Sequence, residues 1–232
     1  MNFKYNVIKK DNEINLYFNL RKSFEDSGLR ICQFHEDEIR DKPLVVKSIV
    51  NNAIGTTPNK IYARKTIIQT VSQTIANEFL DNNHLMGTIR AKHLGLYYND
   101  ILVGLISYKL KKNVCKIERF CTLINSTIVG GFTKLLSYIE KNCIDSHITE
   151  IHNWVDLRYG TGNHLLEKGF RKIKDTQGWK WTDAVNTFNR LKCKANMDDR
   201  KLTEKEHAEE LGWYKIYDAG QRLYIKQLKN IV

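Results

Sequence analysis

Four stretches of the chain hold residue types whose chemistry goes beyond packing. The run Asp156-Leu157-Arg158-Tyr159-Gly160-Thr161-Gly162-Asn163 places a carboxylate, a guanidinium and a phenol just ahead of two glycines. A strand that opens through glycines onto a helix N-terminus presents free backbone amides and suits an anion. At such a strand end Asp156 can take a proton from a substrate amine or orient it; the plainer reading is a turn in which Asp156 and Asn163 only cap the helix. In Ile117-Glu118-Arg119-Phe120-Cys121 two charges interrupt an apolar alternation. Strict alternation sends Glu118 and Arg119 to opposite faces, so one of them meets a covered face or a cleft, unless the two are ordinary salt-bridged residues on a half-exposed sheet. Asn82-Asn83-His84-Leu85-Met86-Gly87 is a polar loop with one histidine, a residue type that is most often solvated or a cap in such a place. Gly130-Gly131, ahead of an amphipathic run, can cradle a pyrophosphate, although the lysine of a P-loop and the Gly-x-Gly-x-x-Gly spacing are both missing.

Charge adds a partner class. The 232 residues include 37 Lys and Arg against 26 Asp and Glu, a net +11, with a pI near 9.3. Such an excess favours a polyanion, nucleic acid first. Lys109, Lys111, Lys112 and Lys116 form one basic stretch, Arg171, Lys172, Lys174 and Lys180 a second, and Arg190, Lys192 and Lys194 a third. With Tyr108, Trp179 and Trp181 nearby they can meet phosphates and stack on bases, with a solvated face as the competing reading. The five cysteines lack a Cys-x-x-Cys pair and the seven histidines lack metal spacing, so free thiols and no metal site are expected. No apolar run approaches a bilayer span, and Met1 to Asn6 shows no signal-peptide stretch, so a cytoplasmic protein without a membrane partner is expected.

The elements that must position these residues read as α/β. Leu16 to Glu25 suits a helix, Leu29 to Phe34 alternates like a strand, and Leu44 to Ala53 is helical by its apolar period. Gly55 to Asn59 is a turn or linker. Ser72 caps a helix with Ile75 and Phe79 on one face. Leu94–Tyr98 and Ile101–Leu110 flank the two-residue turn Asn99-Asp100. Val114–Thr122 is a strand, and Gly130-Gly131 opens a helix bearing Leu135, Leu136 and Ile139. Ile148–Val155 is a strand, Asn163–Lys168 a short helix closed by Gly169, and Phe170–Ile173 with Trp179–Trp181 a closing hairpin. Thr203-Glu204-Lys205-Glu206 has capping-box spacing, Trp213–Gly220 reads as a strand and turn, and Leu223–Ile225 as a last strand. Strands separated by helices, with a hairpin in the middle, imply a mixed α/β sheet.

The ordered set Pro58–Lys65, Phe79-Leu80 to Asn83-His84, Gly95–Tyr97, Glu118–Cys121, Val129–Leu135, Asp156 to Phe170 and Trp213–Asp218 resembles the carboxy-terminal domain of phage Hef-type homing endonucleases. The same Arg, Asp and Gly-Phe core is similar to the Mom family of phage DNA-modification proteins. That resemblance implies a GNAT-like mixed sheet flanked by helices over residues 58–185, a host-cell cytoplasm, double-stranded DNA as partner and group transfer to a base. It also implies His84, Arg119, Asp156, Tyr159 and Asn163 as the site, Gly130 and Gly131 against an acyl-CoA-like donor, and Lys109, Lys111, Lys112, Arg158, Arg171, Lys172, Lys174 and Lys180 on DNA. Trp154 or Tyr159 would support a flipped base. Leu29–Glu38 with Val46–Val50 is similar to the end of a Vsr-like PD-(D/E)XK nuclease, implying a truncated remnant over 1–57 without its upstream carboxylates. Residues 186–232 make a small, basic α+β tail. The donor loop departs from the GNAT pattern, since Thr127–Phe132 keeps glycine but lacks a cation, and Leu165 stands where a tyrosine is usual. Two further readings follow from these departures, a non-catalytic DNA-targeting module and a small-molecule N-acyltransferase.

Overall fold

The computed structural model describes residues 14–142, 144–145, 147–188 and 202–228. Along the chain come α1 (Leu16–Asp26), α2 (Glu36–Asp41), α3 (Pro43–Ala53), β1 (Asn59–Tyr62), a 3-10 turn Ala63–Lys65, β2 (Ile67–Thr70) and α4 (Gln73–Asn83). Then follow β3 (Lys92–Tyr98), β4 (Ile101–Lys111), β5 (Val114–Thr122), β6 (Ser126–Val129), α5 (Gly131–Asn142) and β7 (Glu150–Asp156). A 3-10 helix Asn163–Lys168, β8 (Arg171–Thr182), β9 (Thr187–Phe188), α6 (Glu204–Glu210) and β10 (Tyr214–Gln227) complete it. Among the described residues no helix is long and apolar enough to cross a membrane.

Local chemistry explains most of these boundaries. Pro43 opens α3, where its missing N–H costs nothing. The Ser72 hydroxyl accepts from the Ile75 amide at 3.4 Å and starts α4. Asn99 and Asp100 take φ of 49° and 61°, the left-handed pair that a two-residue hairpin needs. At α6 the capping box closes both ways, Thr203 accepting from the Glu206 amide and the Glu206 carboxylate from the Thr203 amide.

Contacts divide the chain into two compact units. The smaller combines Met1–Asp41, Asp156–Thr161 and Asp175–Gln221; the larger combines Lys42–Val155, Gly162–Lys174 and Arg222–Val232. This division cuts across the sequence-predicted boundaries at 57 and 185. The larger unit is a mixed sheet flanked by helices, the α/β class expected. Its strands run β2-β3-β4-β5-β7 and on through its own parts of β10 and β8, with β1 and β6 as a separate parallel pair. The β2–β3, β3–β4 and β4–β5 pairs are antiparallel, and β5–β7 is parallel. Leu105 and Ile106, successive on β4, belong to different apolar clusters, so this sheet is covered on both faces. One cluster gathers Leu96, Ile106, Ile117, Leu135, Ile139, Ile151 and Leu165; the other gathers Val71, Ala76, Phe79, Leu80 and Leu105. In the smaller unit Trp181 and Ala208 are buried against Trp179, Phe188 and Trp213.

Four sequence expectations are corrected. Residues 29–34 form no strand; Gln33 makes single bonds, its amide to the Arg158 carbonyl at 2.6 Å and its Oε1 from the Ala219 amide at 2.8 Å, rather than a ladder. The expected hairpin at 170–181 is one continuous strand, β8. The turn expected at Gly220 is likewise the interior of β10. The second error comes from Gly220 read as a turn residue, where glycine instead permits close approach. A Cβ at Gly178 would overlap the Asp218 carboxylate, and one at Gly220 would lie 2.5 Å from the Thr176 carbonyl oxygen. Lastly, Ile75 does not share the buried face of Phe79 on α4; it is exposed. Cys143, Cys193, Arg190, Lys192 and Lys194 lie outside the described residues, while Cys32, Cys115 and Cys121 are free thiols.

Candidate functional site

In the larger unit the parallel strands β5 and β7 pair from Val114↔Glu150 to Ile117↔Asn153 and then stop pairing, although both strands continue. At the same point β5 carries a bulge. Against β4, Ile117 faces Tyr108 and Arg119 faces Ser107, leaving Glu118 as the extra residue. Ile117 and Phe120 both pack in the same core cluster, so two residues, not one, lie between successive inward positions. The bulge therefore sets Glu118 and Arg119 on the same side of the sheet, correcting the alternation expected from sequence. The Arg119 guanidinium donates to the Glu118 carbonyl at 2.7 Å, and Glu118 pairs with Lys116 at 3.2 Å. Ser107, opposite Arg119, is hydrogen-bonded to His93 Nδ1 at 2.8 Å, and both are buried. This polar row of His93, Ser107 and Arg119 across three neighbouring strands was not visible in the sequence, because register alone assembles it.

Gly130 and Gly131 meet this opening at the N-terminus of α5. Gly130 has φ of 78° and its carbonyl accepts from the Lys134 amide at 3.0 Å, closing the first turn. A Cβ at Gly131 would stand 3.1 Å from Ile128 and 3.2 Å from Leu96, so only glycine lets the helix start this close to the strands. The parallel register of β1 and β6 ends at Tyr62↔Val129. Ala63-Arg64-Lys65 thus follows β1 beside the point where Gly130-Gly131 follows β6. Arg64 and Lys65, on this second segment, are both exposed. The Lys134 ammonium donates to the Ala63 carbonyl at 2.9 Å and also to the carbonyl of Thr66, clamping the turn to the helix. Phe132, on the first turn of α5, packs edge-on against Phe120 of β5 at 5.2 Å and His164 at 5.5 Å. Burial holds the His164 imidazole below its ordinary value, with Lys168 pushing the same way.

Three residues expected at the site lie in this unit, each in its own setting. His84 ends α4, its Nδ1 accepting from the Met86 amide at 3.1 Å and its carbonyl from Lys42 at 2.9 Å, which is a capping role. Asn163 is exposed at the start of the 3-10 helix, after Gly162 at φ 73°. Arg119 sits on the bulge. Beside it the Cys121 thiol is pushed up to about 12 by burial, against the opposing pull of Arg119 and Lys42. Lys109, Lys111 and Lys112 on the β4–β5 hairpin, and Arg171, Lys172 and Lys174 at the start of β8, are exposed.

Asp156, Arg158, Tyr159 and Lys180 belong to the smaller unit, where they form a closed ionic network. The Arg158 guanidinium is 2 % exposed and donates to both Glu38 oxygens at 2.7 and 2.8 Å, and to Asp156 at 2.8 and 3.1 Å. Lys180 donates to Glu38 at 3.0 Å. These two cations therefore bind carboxylates of the protein itself, and the expectation that they meet DNA phosphates is corrected by the burial of Arg158 and by the pairing of both. Burial pulls the Glu38 carboxyl upward, but the charges of Arg158 and Lys180 outweigh it and hold the group at about 2. Burial raises the Tyr159 phenol far above its ordinary value, and Asp156, to which it is hydrogen-bonded, raises it further. Asp156 is thus engaged by a buried guanidinium and a phenol, and the helix it was expected to cap begins with Gly162 and no side-chain cap. Among the described residues no group of three His, Cys, Asp or Glu side chains is placed to hold a metal ion.

No protein-family model matches the chain, and no curated protein matches its sequence. Solved structures similar to it are acetyltransferases. The ribosomal-protein-S18-alanine N-acetyltransferase from Escherichia coli has TM-score 0.45 and 9% identity, covering 71% of this chain and 94% of that one. The IAA acetyltransferase from Bacillus cereus has TM-score 0.41 and 9% identity, covering 70% and 99%. A Bacillus subtilis acetyltransferase in complex with CoA has TM-score 0.38 and 14% identity, covering 71% and 100%.

Proposed function

We propose that the larger unit is an N-acyltransferase that takes an acyl-CoA-type donor and a small amine. The observation that supports it is the opening where β5 and β7 stop pairing, at the bulge of Glu118 and beside the N-terminus of α5. A strand edge without its parallel neighbour offers main-chain donors and acceptors to an extended amide-bearing arm. A helix N-terminus offers free amides and the positive end of its dipole to a diphosphate. Arg64 and Lys65 add the charge that the glycine loop itself lacks, so the residues fit such a donor. When bound, the donor supplies an acyl group activated as a thioester. The β5 edge orients it, Phe120 and Phe132 keep water from the opening, and Glu118 takes the proton that the attacking amine must lose. Acetyl-CoA should bind in titration calorimetry, and Arg64→Glu with Lys65→Glu should weaken that binding by about tenfold or more. An acetyl-CoA titration without heat or saturation would refute the reading.

A second reading keeps the same site and gives it DNA as acceptor, in line with the resemblance to Hef- and Mom-type proteins. What favours it is the exposed basic set Lys109, Lys111, Lys112, Arg171, Lys172 and Lys174 in the same unit, with the net charge of +11. Nucleoside mass spectrometry of DNA from expressing cells distinguishes the two. A new mass that disappears with Glu118→Gln supports a base as acceptor, and unchanged nucleosides with turnover of small amines support the first reading.

A further inference from the structure

Just ahead of the glycines at α5, the β1–β6 pair turns outward a face that the acyltransfer reading leaves unused. Ile61 and Ile128, partners in register, pack in the core, so Lys60 and Tyr62 share the opposite face with Thr127 and Val129. Tyr62 and Val129 are the last pair of that register, and they are 42 % and 37 % exposed. The Lys60 ammonium lies 5.8 Å from the centre of the Tyr62 ring and the Arg64 guanidinium 5.3 Å. Both cations are exposed, and among the described residues neither pairs with a carboxylate. Their charge is not cancelled by the elements around them. Residues 42–77, which supply α3, β1 and β2, contain no Asp or Glu, and neither do residues 119–139, which supply β6 and most of α5. The next acid along α5, Glu140, accepts from Lys226 at 2.6 Å. Lys60 and Arg64 thus flank one solvent-facing aromatic ring, among segments that carry positive charge alone.

We propose that Tyr62 and Lys60 bind the nucleotide end of the donor, a 3′-phosphorylated adenosine, with the base on the Tyr62 ring and the ribose phosphate on the Lys60 ammonium. The proposal rests on the acyl-CoA-type reading of the donor and names the part of it that this face reads. A purine brings a π-face for the ring, and its ribose phosphate brings negative charge for the cation. An aliphatic ligand would leave the cations unused, and a bare phosphate would leave Tyr62 and Val129 unused. Because Lys60 is exposed and pairs with no carboxylate, it can leave the ring for a phosphate without breaking an ion pair. A donor that presents the same thioester without a nucleotide is therefore held more weakly.

The test is titration calorimetry on the full chain with acetyl-CoA, dephospho-CoA, acetyl-pantetheine and adenosine 3′,5′-bisphosphate. Acetyl-CoA should bind about tenfold or more tighter than dephospho-CoA, and the bisphosphate should bind by itself. Tyr62→Leu keeps apolar bulk but loses the stacking face, and should weaken acetyl-CoA and the bisphosphate by about fivefold or more. Lys60→Gln should weaken both by about fivefold or more and remove most of the preference over dephospho-CoA. Neither change should alter acetyl-pantetheine binding or lower the thermal midpoint, since both side chains are exposed. Acetyl-CoA that binds wild type and both variants equally overturns this inference and leaves the acyltransfer reading standing. Bisphosphate binding that needs Tyr62 and Lys60, without any binding of acetyl-CoA, keeps the nucleotide site and refutes the acyltransfer reading. Binding of neither ligand overturns both.

Discussion

The two units hold themselves together by opposite means. In the larger, Leu96, Leu135, Ile139, Ile151 and Leu165 are fully or almost fully buried in one continuous apolar cluster, and the strands are laid down in near-sequential hairpins. The smaller draws three separate chain segments around Glu38, Arg158, Asp156 and Lys180, with an aromatic cluster near α6 among its described residues. Apolar packing is tolerant of the charge state of the solvent, whereas a buried ionic network depends on every member being present and ionised. The larger unit should therefore fail gradually, by cavity, and the smaller abruptly, by protonation or the loss of one partner.

The sharpest way to break this contrast is Arg158→Met, which leaves Glu38 and Asp156 buried without their shared cation. A loss of about 3–5 kcal/mol is expected, and it should be confined to the smaller unit. Trp179, Trp181 and Trp213 lie there and Trp154 in the larger, so urea titration by fluorescence reads mostly the smaller unit. A shared, single transition with unchanged midpoint would contradict the network's role. The same argument disqualifies Asp156→Ala as a clean activity test, since it strips one partner from a buried guanidinium.

Leu96→Ala is the matching probe of the larger unit. It should cost about 2–5 kcal/mol through the cavity it leaves, with the Trp213 signal moving less than the circular dichroism.

Acid should separate the units without any mutation. His35 is buried, and desolvation together with Lys180 and Arg158 lowers its imidazole to about 4. In the unfolded chain it titrates near 6.5, so between those values the unfolded state binds the extra proton, and stability falls as pH drops through that window. Glu38, held at about 2 against an ordinary value of 4.5, acts in the same direction further down, its contribution fading from about pH 5 toward 2. The thermal midpoint read by tryptophan fluorescence should fall from pH 7 to 4 more steeply than that of the β-sheet signal. Parallel declines would mean the network carries no special weight.

The smallest expected effect is Thr203→Ala, which removes half of the α6 capping box and should lower the smaller unit's stability by about 1 kcal/mol. A loss of that size, seen by Trp181 beside Ala208, would show that α6 is part of this unit's cooperative fold.

What the sequence disclosed follows the range of the forces involved. The Asn99-Asp100 turn, the Ser72 and Thr203 caps and the apolar face of α5 are local, and each was readable within a few residues. The Glu118 bulge was not, because alternation is assumed until a partner strand shows the extra residue. Gly220 misled for a related reason: glycine looks the same whether it turns a chain or lets another group come close. Least readable was the network, where Arg158 meets Glu38 across 120 residues of sequence and Lys180 meets it across 142. The expected site residues Asp156 and Tyr159 lie in this network, and their engagement depends on those distant pairings.

The discontinuous make-up of the smaller unit also has a consequence during synthesis. Its first 41 residues leave the ribosome long before Asp175–Gln221 exist to receive them. At ordinary elongation rates the wait is on the order of ten seconds, with Leu16, Tyr17 and Leu20 of α1, apolar and solvent-facing even in the finished protein, available to other surfaces throughout. The larger unit needs only its last strand residues to close, while Glu38 has no counter-charge until Arg158 and Lys180 have been added. Glu38 is thus made long before either of its counter-charges, and the ionic network can close only after the segment that carries Lys180 has been added.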